Sequence, residues 1–182
     1  MSALGGTARD RAREVWSVNV QRRVNAPWRS LRPQIAKVLR PDAQSTPTGG
    51  LLTEIDHVAI AVRDLDAAIE WYSKAFGAVV VHREVIEHDD VEEALIAVAD
   101  SYIQLLTPRS DKSPVARFLE QRGEGLHHVG YRVKDCAAAL ELVAASGATM
   151  IDQVPRPGSR GTTVAFVHPK GAFGTLVELV EE

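Results

Sequence analysis

A duplicated stretch constrains this chain's fold more than any other feature. IDHVAIAVRDLDAAIEWYSKAFGA (residues 55–78) aligns with LHHVGYRVKDCAAALELVAASGA (residues 126–148), and both His57 to His128 and Asp64 to Asp135 are 71 residues apart. Each copy is an alternating apolar run, then a basic residue and Asp, then an Ala/Leu-rich helical pattern, then Gly-Ala. Asp64 and Asp135 stand where a helix N-cap belongs, Gly77 and Gly147 where a C-cap belongs. Between the caps, Leu65, Ile69, Tyr72 and Phe76 keep one apolar face, as do Leu140 and Val143 in the second copy. Strand-like runs follow each helix: AVVVHREV, VEEALIAVAD and SYIQLLTP, then TMIDQVP, TTVAFVHP and TLVELVEE. SPVARFLEQRGEG reads as a helix joining the copies, capped by Ser113 with Pro114 in its first turn. The pattern predicts an α+β fold of two paired units, each strand, helix and three strands, with modules at about 52–108 and 125–182. The concave space between them forms a pocket.

Successive side chains of a strand point to opposite faces, so only one of His127 and His128 is expected to look inward. The repeat selects His128, which aligns with His57, while His127 aligns with Asp56. In the last strands YIQLL matches LVELV, which sets Gln104 opposite Glu178. Each is a lone polar residue at a position where alternation predicts burial, and an unsatisfied buried polar group costs several kcal/mol. Four such groups at matched positions suggest a shared partner. Two imidazoles, one carboxylate and one amide oxygen suit a divalent ion. No thiolate accompanies them to indicate structural zinc. On pattern alone other readings stay open: a histidine near a strand start is more often satisfied or at the surface than a ligand, and Gln104 alone serves equally as a pairing residue on an exposed sheet face.

Charge divides the chain. Residues 1–50 carry nine Lys/Arg against three Asp/Glu, and the remainder twelve against 21. With Pro27, Pro33, Pro41 and Pro47 breaking any long helix and DAQSTPTGG reading as a linker, residues 1–50 are expected to be a basic, disordered extension, and residues 51–182 the folded domain. A tail, an Arg-rich organellar transit peptide and a basic arm for an acidic partner compete as readings of that extension. Cys136 is the only cysteine. No disulfide can form within the chain, and a reducing compartment fits best: the cytoplasm, or the mitochondrial matrix if the leader is a transit peptide. No apolar run approaches the roughly 18 residues of a membrane span. Neither a nucleic-acid nor a membrane partner is expected.

From about residue 52 to the end, the chain resembles the methylmalonyl-CoA epimerase family of the vicinal-oxygen-chelate superfamily, which includes glyoxalase I. IDHVAIAV, VEEALI, SYIQLLTPRSDKSPVARFLEQRGEGLHHVGYRV and GTTVAFVHPKGAFGTLVELVE carry the likeness. The resemblance implies βαβββ modules in a cupped mixed sheet around one divalent metal per chain, in a homodimer. It implies metal ligands at His57, Gln104, His128 and Glu178, the four already selected by the repeat. Cobalt, manganese, nickel and zinc are all compatible with them. It adds Glu93 on the third strand, which periodicity had not singled out, as a catalytic carboxylate; its neighbour Glu92 points to the other face. The implied reaction interconverts (2R)- and (2S)-methylmalonyl-CoA, with Glu93 and Glu178 as the acid–base pair. A glyoxalase-like lyase or isomerase, and a metal-free binding module, are the alternatives. His127 is expected on the far face or behind the ligands. His82 and His88 are read as surface residues. His168 is read as structural or pocket-lining, and Lys170 or Arg160 as candidates for the coenzyme A phosphates.

Overall fold

The alternating run of the first copy, with Ala59 and Ala61 facing in, builds strand β1 (Glu54–Ala61) of a computed structural model that describes residues 50–182. Helix α1 (Leu65–Phe76) follows, then β2 (Val80–Ile86), β3 (Val91–Val98) and β4 (Ser101–Pro108). Helix α2 (Pro114–Arg122) leads to the second copy: β5 (Gly125–Arg132), α3 (Cys136–Ala145), β6 (Arg156–Pro157), β7 (Thr163–Val167) and β8 (Leu176–Glu181). The expected basic extension lies outside the described residues, Gly50 excepted.

The caps form as read. Asp64 accepts from Ala67 N and Asp135 from Ala138 N, each at 2.9 Å. Ser113 accepts from Val115 N at 3.2 Å, with Pro114 opening α2. Gly77 closes α1 at φ 65°, a left-handed conformation that glycine adopts without steric cost. In the second copy Ser146 is the cap, and Gly147 follows it at φ 91°.

All eight strands join one sheet in the order β2-β3-β4-β1-β5-β8-β7-β6. β1 runs parallel to β4, β5 runs parallel to β8, and the two modules meet at an antiparallel β1–β5 seam. Two βαβββ units in one mixed sheet is the predicted architecture. Its first half packs Val62, Leu65, Ala94, Ile96 and Leu105 under α1, and Ala59, Val91 and Leu106 against Val115 and Leu119 of α2. The second packs Cys136, Ala139 and Leu140 of α3 on Ala165, Val167 and Leu179.

Three details depart from the sequence reading. TMIDQVP forms no strand: Met150 makes a single bridge to Val167, and β6 shrinks to two residues. Pro155 precedes β6 and Pro157 is its second residue, and proline has no N–H for a ladder. Phe76 is exposed rather than on the buried face, and with Trp71 and Tyr72 forms a surface aromatic cluster. The β1–β5 ladder also slips twice. Ile55 pairs with Tyr131 and His57 with Gly130, which leaves out Asp56; Ala59 pairs with His128 and Ile60 with Leu126, which leaves out His127. Strict alternation fails at these two positions.

Candidate active site

The seam puts His57 (β1) and His128 (β5) on adjacent central strands, with Gln104 on flanking β4 and Glu178 on flanking β8. All four are buried. His57 Nε2 lies 3.0 Å from His128 Nε2 and 2.9 Å from Glu178 Oε2, and His128 Nε2 lies 3.0 Å from the same oxygen. Gly130, opposite His57, leaves room for the ring: a Cβ there would stand 2.4 Å from His57 Cε1.

The three donor atoms converge on one point, and their charges are set by one another. Burial alone would lower the His57 pKa, but the carboxylates of Asp56 and Glu178 outweigh it and raise it to about 9. Burial would raise Glu178; hydrogen bonds from His128 and His57 instead hold its carboxyl far below the usual range. Burial pushes His128 down. The arrangement favours positive charge between these residues.

Gln104 completes the set from the fourth strand. Its Nε2 donates to Glu93 Oε2 at 2.5 Å, while its Oε1 is buried with no hydrogen-bond partner among the described residues. An orphaned amide oxygen on a residue lining the same cavity as two imidazoles and a carboxylate makes a set suited to a divalent cation. The separations among His57, His128 and Glu178 agree: donors about 2.1 Å from an ion at right angles lie about 3.0 Å apart. The residues present therefore fit a bound divalent ion.

Glu93, on β3, is fully buried. Ser159 Oγ donates to its Oε1 and Gln104 Nε2 to its Oε2, and burial still raises its pKa. Glu92, on the other face, pairs with Arg83 at 2.8 Å. The carboxyl of Glu93 thus lies one hydrogen bond behind the wall of a cavity of about 250 Å³ lined by His57, Gln104, His128, Ser159 and Glu178.

Sequence reasoning missed two contributors, Asp56 and Ser159. Asp56 is fully buried, 2.8 Å from His57 Nδ1, and is held by Arg132 and Arg160. Ser159 comes from a short 3-10 turn whose side chain no periodicity marks. Of the two places expected for His127, the far face or behind the ligands, it takes the second: its Nδ1 lies 2.8 Å from His128 Nδ1, and it also lines the cavity. His88 sits at the cavity rim, whereas His82 pairs with Glu84 at 2.9 Å. Arg160 is engaged with Asp56, Glu182 and the Tyr102 ring rather than held out for phosphates. His168 caps a short turn through Lys170 N.

Residues 56–166 match the glyoxalase/bleomycin resistance protein/dioxygenase superfamily. The ethylmalonyl-CoA/methylmalonyl-CoA epimerase of Cereibacter sphaeroides is 37% identical over 131 residues, 71% of this chain and 98% of that protein. The crystal structure of methylmalonyl-CoA epimerase from Mycobacterium tuberculosis superposes with a TM-score of 0.71 at 39% identity, covering 76% of this chain and 94% of that one. A variant of the Streptomyces coelicolor methylmalonyl-CoA epimerase, in complex with 2-nitronate-propionyl-CoA, gives a TM-score of 0.69 at 39% identity over 72% and 98% of the two chains. Cupped sheet, buried donor set and sequence identity over nearly the whole length of these relatives agree: the chain belongs to the methylmalonyl-CoA epimerase family of the glyoxalase superfamily and is an enzyme of the epimerase class.

Proposed function

We propose that this enzyme interconverts (2R)- and (2S)-methylmalonyl-CoA by removing the α-proton on one face and returning it on the other. The supporting observation is the orphaned Gln104 Oε1, buried beside His57, His128 and Glu178 and tied through Nε2 to the carboxyl of Glu93.

In this reading His57 Nε2, His128 Nε2, Glu178 Oε2 and Gln104 Oε1 hold a divalent ion. Bound there, the ion supplies Lewis-acid stabilisation of the negative charge that builds on the thioester oxygen as the proton leaves. Glu178 is the one anionic donor and Gln104 a neutral one, so the set leaves a divalent charge only partly compensated and receptive to an anionic substrate.

Inversion needs a proton carrier on each face of the carbon. Glu93 and Glu178 are that pair, exchanging roles between the two directions; burial takes the Glu93 pKa up, and hydrogen bonds from two imidazoles take Glu178 down. Glu93 is the stronger base. It reaches substrate when an oxygen leaves Ser159 or Gln104.

Deuterium exchange at the α-carbon of methylmalonyl-CoA tests the reading. Wild-type protein is expected to exchange, chelator-treated protein not. Glu93→Gln is expected to keep its metal and its circular dichroism while losing about 10²–10⁴ in exchange rate. Exchange at the wild-type rate after metal removal sinks the metal's role; exchange at that rate in Glu93→Gln sinks the base.

We also propose the homodimer expected from the sequence, supported by the exposed apolar group Trp71, Phe76, Val79 and Val81. A reducing compartment, cytoplasm or mitochondrial matrix, accords with the free buried Cys136. Among the described residues no helix is long and apolar enough to cross a membrane.

A further inference from the structure

The two slips of the β1–β5 ladder fall on residues that the repeat aligns with each other. Asp56 and His127 each directly precede an inward histidine, and each is left out of the pairing. A regular strand would turn both away from the ligand that follows. The slip turns them back. Asp56 Oδ1 lies 2.8 Å from His57 Nδ1, and His127 Nδ1 lies 2.8 Å from His128 Nδ1.

We propose that Asp56 and His127 are a duplicated pair of positioning residues, each holding Nδ1 of the adjacent histidine so that its Nε2 faces the point shared with Glu178. The proton placement follows. For Nε2 to present a lone pair, the ring proton sits on Nδ1. His57 donates it to the Asp56 carboxylate. His128 donates it to His127 Nδ1, whose own proton then sits on Nε2. Both holders are anchored. Asp56 accepts from Arg132 Nη2 at 2.8 Å and Arg160 Nη2 at 2.7 Å. His127 stands edge-on to Phe118, centroids 4.9 Å apart. The same position thus carries a carboxylate in one module and a neutral ring in the other. The first histidine of GLHHV, His127, is there to steer the ring of the second, the ligand His128.

If His127 were only filler beside Phe118, a phenyl ring would replace it without consequence. The test uses the full chain with Co²⁺ as probe, its affinity read by competition with a chromophoric chelator. His127→Phe is expected to bind Co²⁺ about 10- to 100-fold more weakly. His127→Asn, whose amide oxygen can accept in place of Nδ1, is expected to recover most of the loss. In ¹⁵N-labelled, zinc-loaded wild-type protein, His57 and His128 are expected as Nδ1–H tautomers, with scalar coupling across the hydrogen bond between Nδ1 of His127 and Nδ1 of His128. His127→Phe binding Co²⁺ within about twofold of wild type, or an absent coupling with a proton on His127 Nδ1, overturns the proposal. It rests on the ligand reading above: wild-type protein that takes up neither ion overturns both, whereas strong wild-type binding that His127→Phe leaves unchanged overturns this one alone.

Discussion

Gly130 shows how narrowly a single residue sets this site. It is paired with His57 across the seam, and any side chain there collides with the imidazole, its Cβ 2.4 Å from one ring carbon and 2.6 Å from Nδ1. The ring would have to turn, and turning breaks the Asp56 contact and the convergence on Glu178 together. Gly130→Ala is therefore expected to cost about 1–3 kcal/mol of stability and, more tellingly, to leave less than one metal per chain with α-proton exchange nearly lost. Elemental analysis of the purified variant alongside the exchange assay checks this; full metal content with full exchange would show that the ring has another place to go. Glu93 makes the complementary point. An acidic residue on a strand is usually solvated, and nothing in its own neighbourhood of the sequence says otherwise. Once buried, it takes a hydrogen bond from Ser159, contributed by the other module.

At the scale of the element, legibility tracks regularity. Both N-caps were readable because an Asp before a helical pattern has one favourable use. Asp64→Ala is expected to lower stability by about 1 kcal/mol, measured as a shift in the urea midpoint, with metal content and exchange unchanged because α1 contributes no side chain to the cavity. A shift below a few tenths of a kcal/mol would mean that water caps the helix as well as the carboxylate does. The inward histidines, Gln104 and Glu178 were readable from period-two alternation joined to the repeat. What was not readable lies where alternation breaks. The ladder slips at Asp56 and His127 bring each side chain back against the histidine that follows it, and an unbroken strand forbids that. The run read as the counterpart of β2 makes only the Met150 bridge, and β6 beyond it pairs over two residues, one of them a proline that lacks a ladder donor.

For the whole molecule, the described residues 50–182 hold every side chain that the proposed chemistry uses. A chain beginning at Leu51 is expected to fold, to sediment as a dimer and to exchange the α-proton at a rate near that of the full chain. A folded but inactive product would give the basic leader a catalytic part. The fold and the four buried polar side chains of the cavity could be seen in the sequence because duplication wrote them twice; the supporting contacts could not, since they differ between copies. That difference has a consequence. Two identical modules associating as separate chains would be bound by their symmetry to offer two amides or two carboxylates, two acidic holders or two basic ones. Fusing them into one chain lifted that obligation, and β4 could keep a neutral donor while β8 kept a charged one. In the proposed site, an ion gripped by unequal halves would have a less negative side, and an incoming acyl anion would thereby be told which way to face.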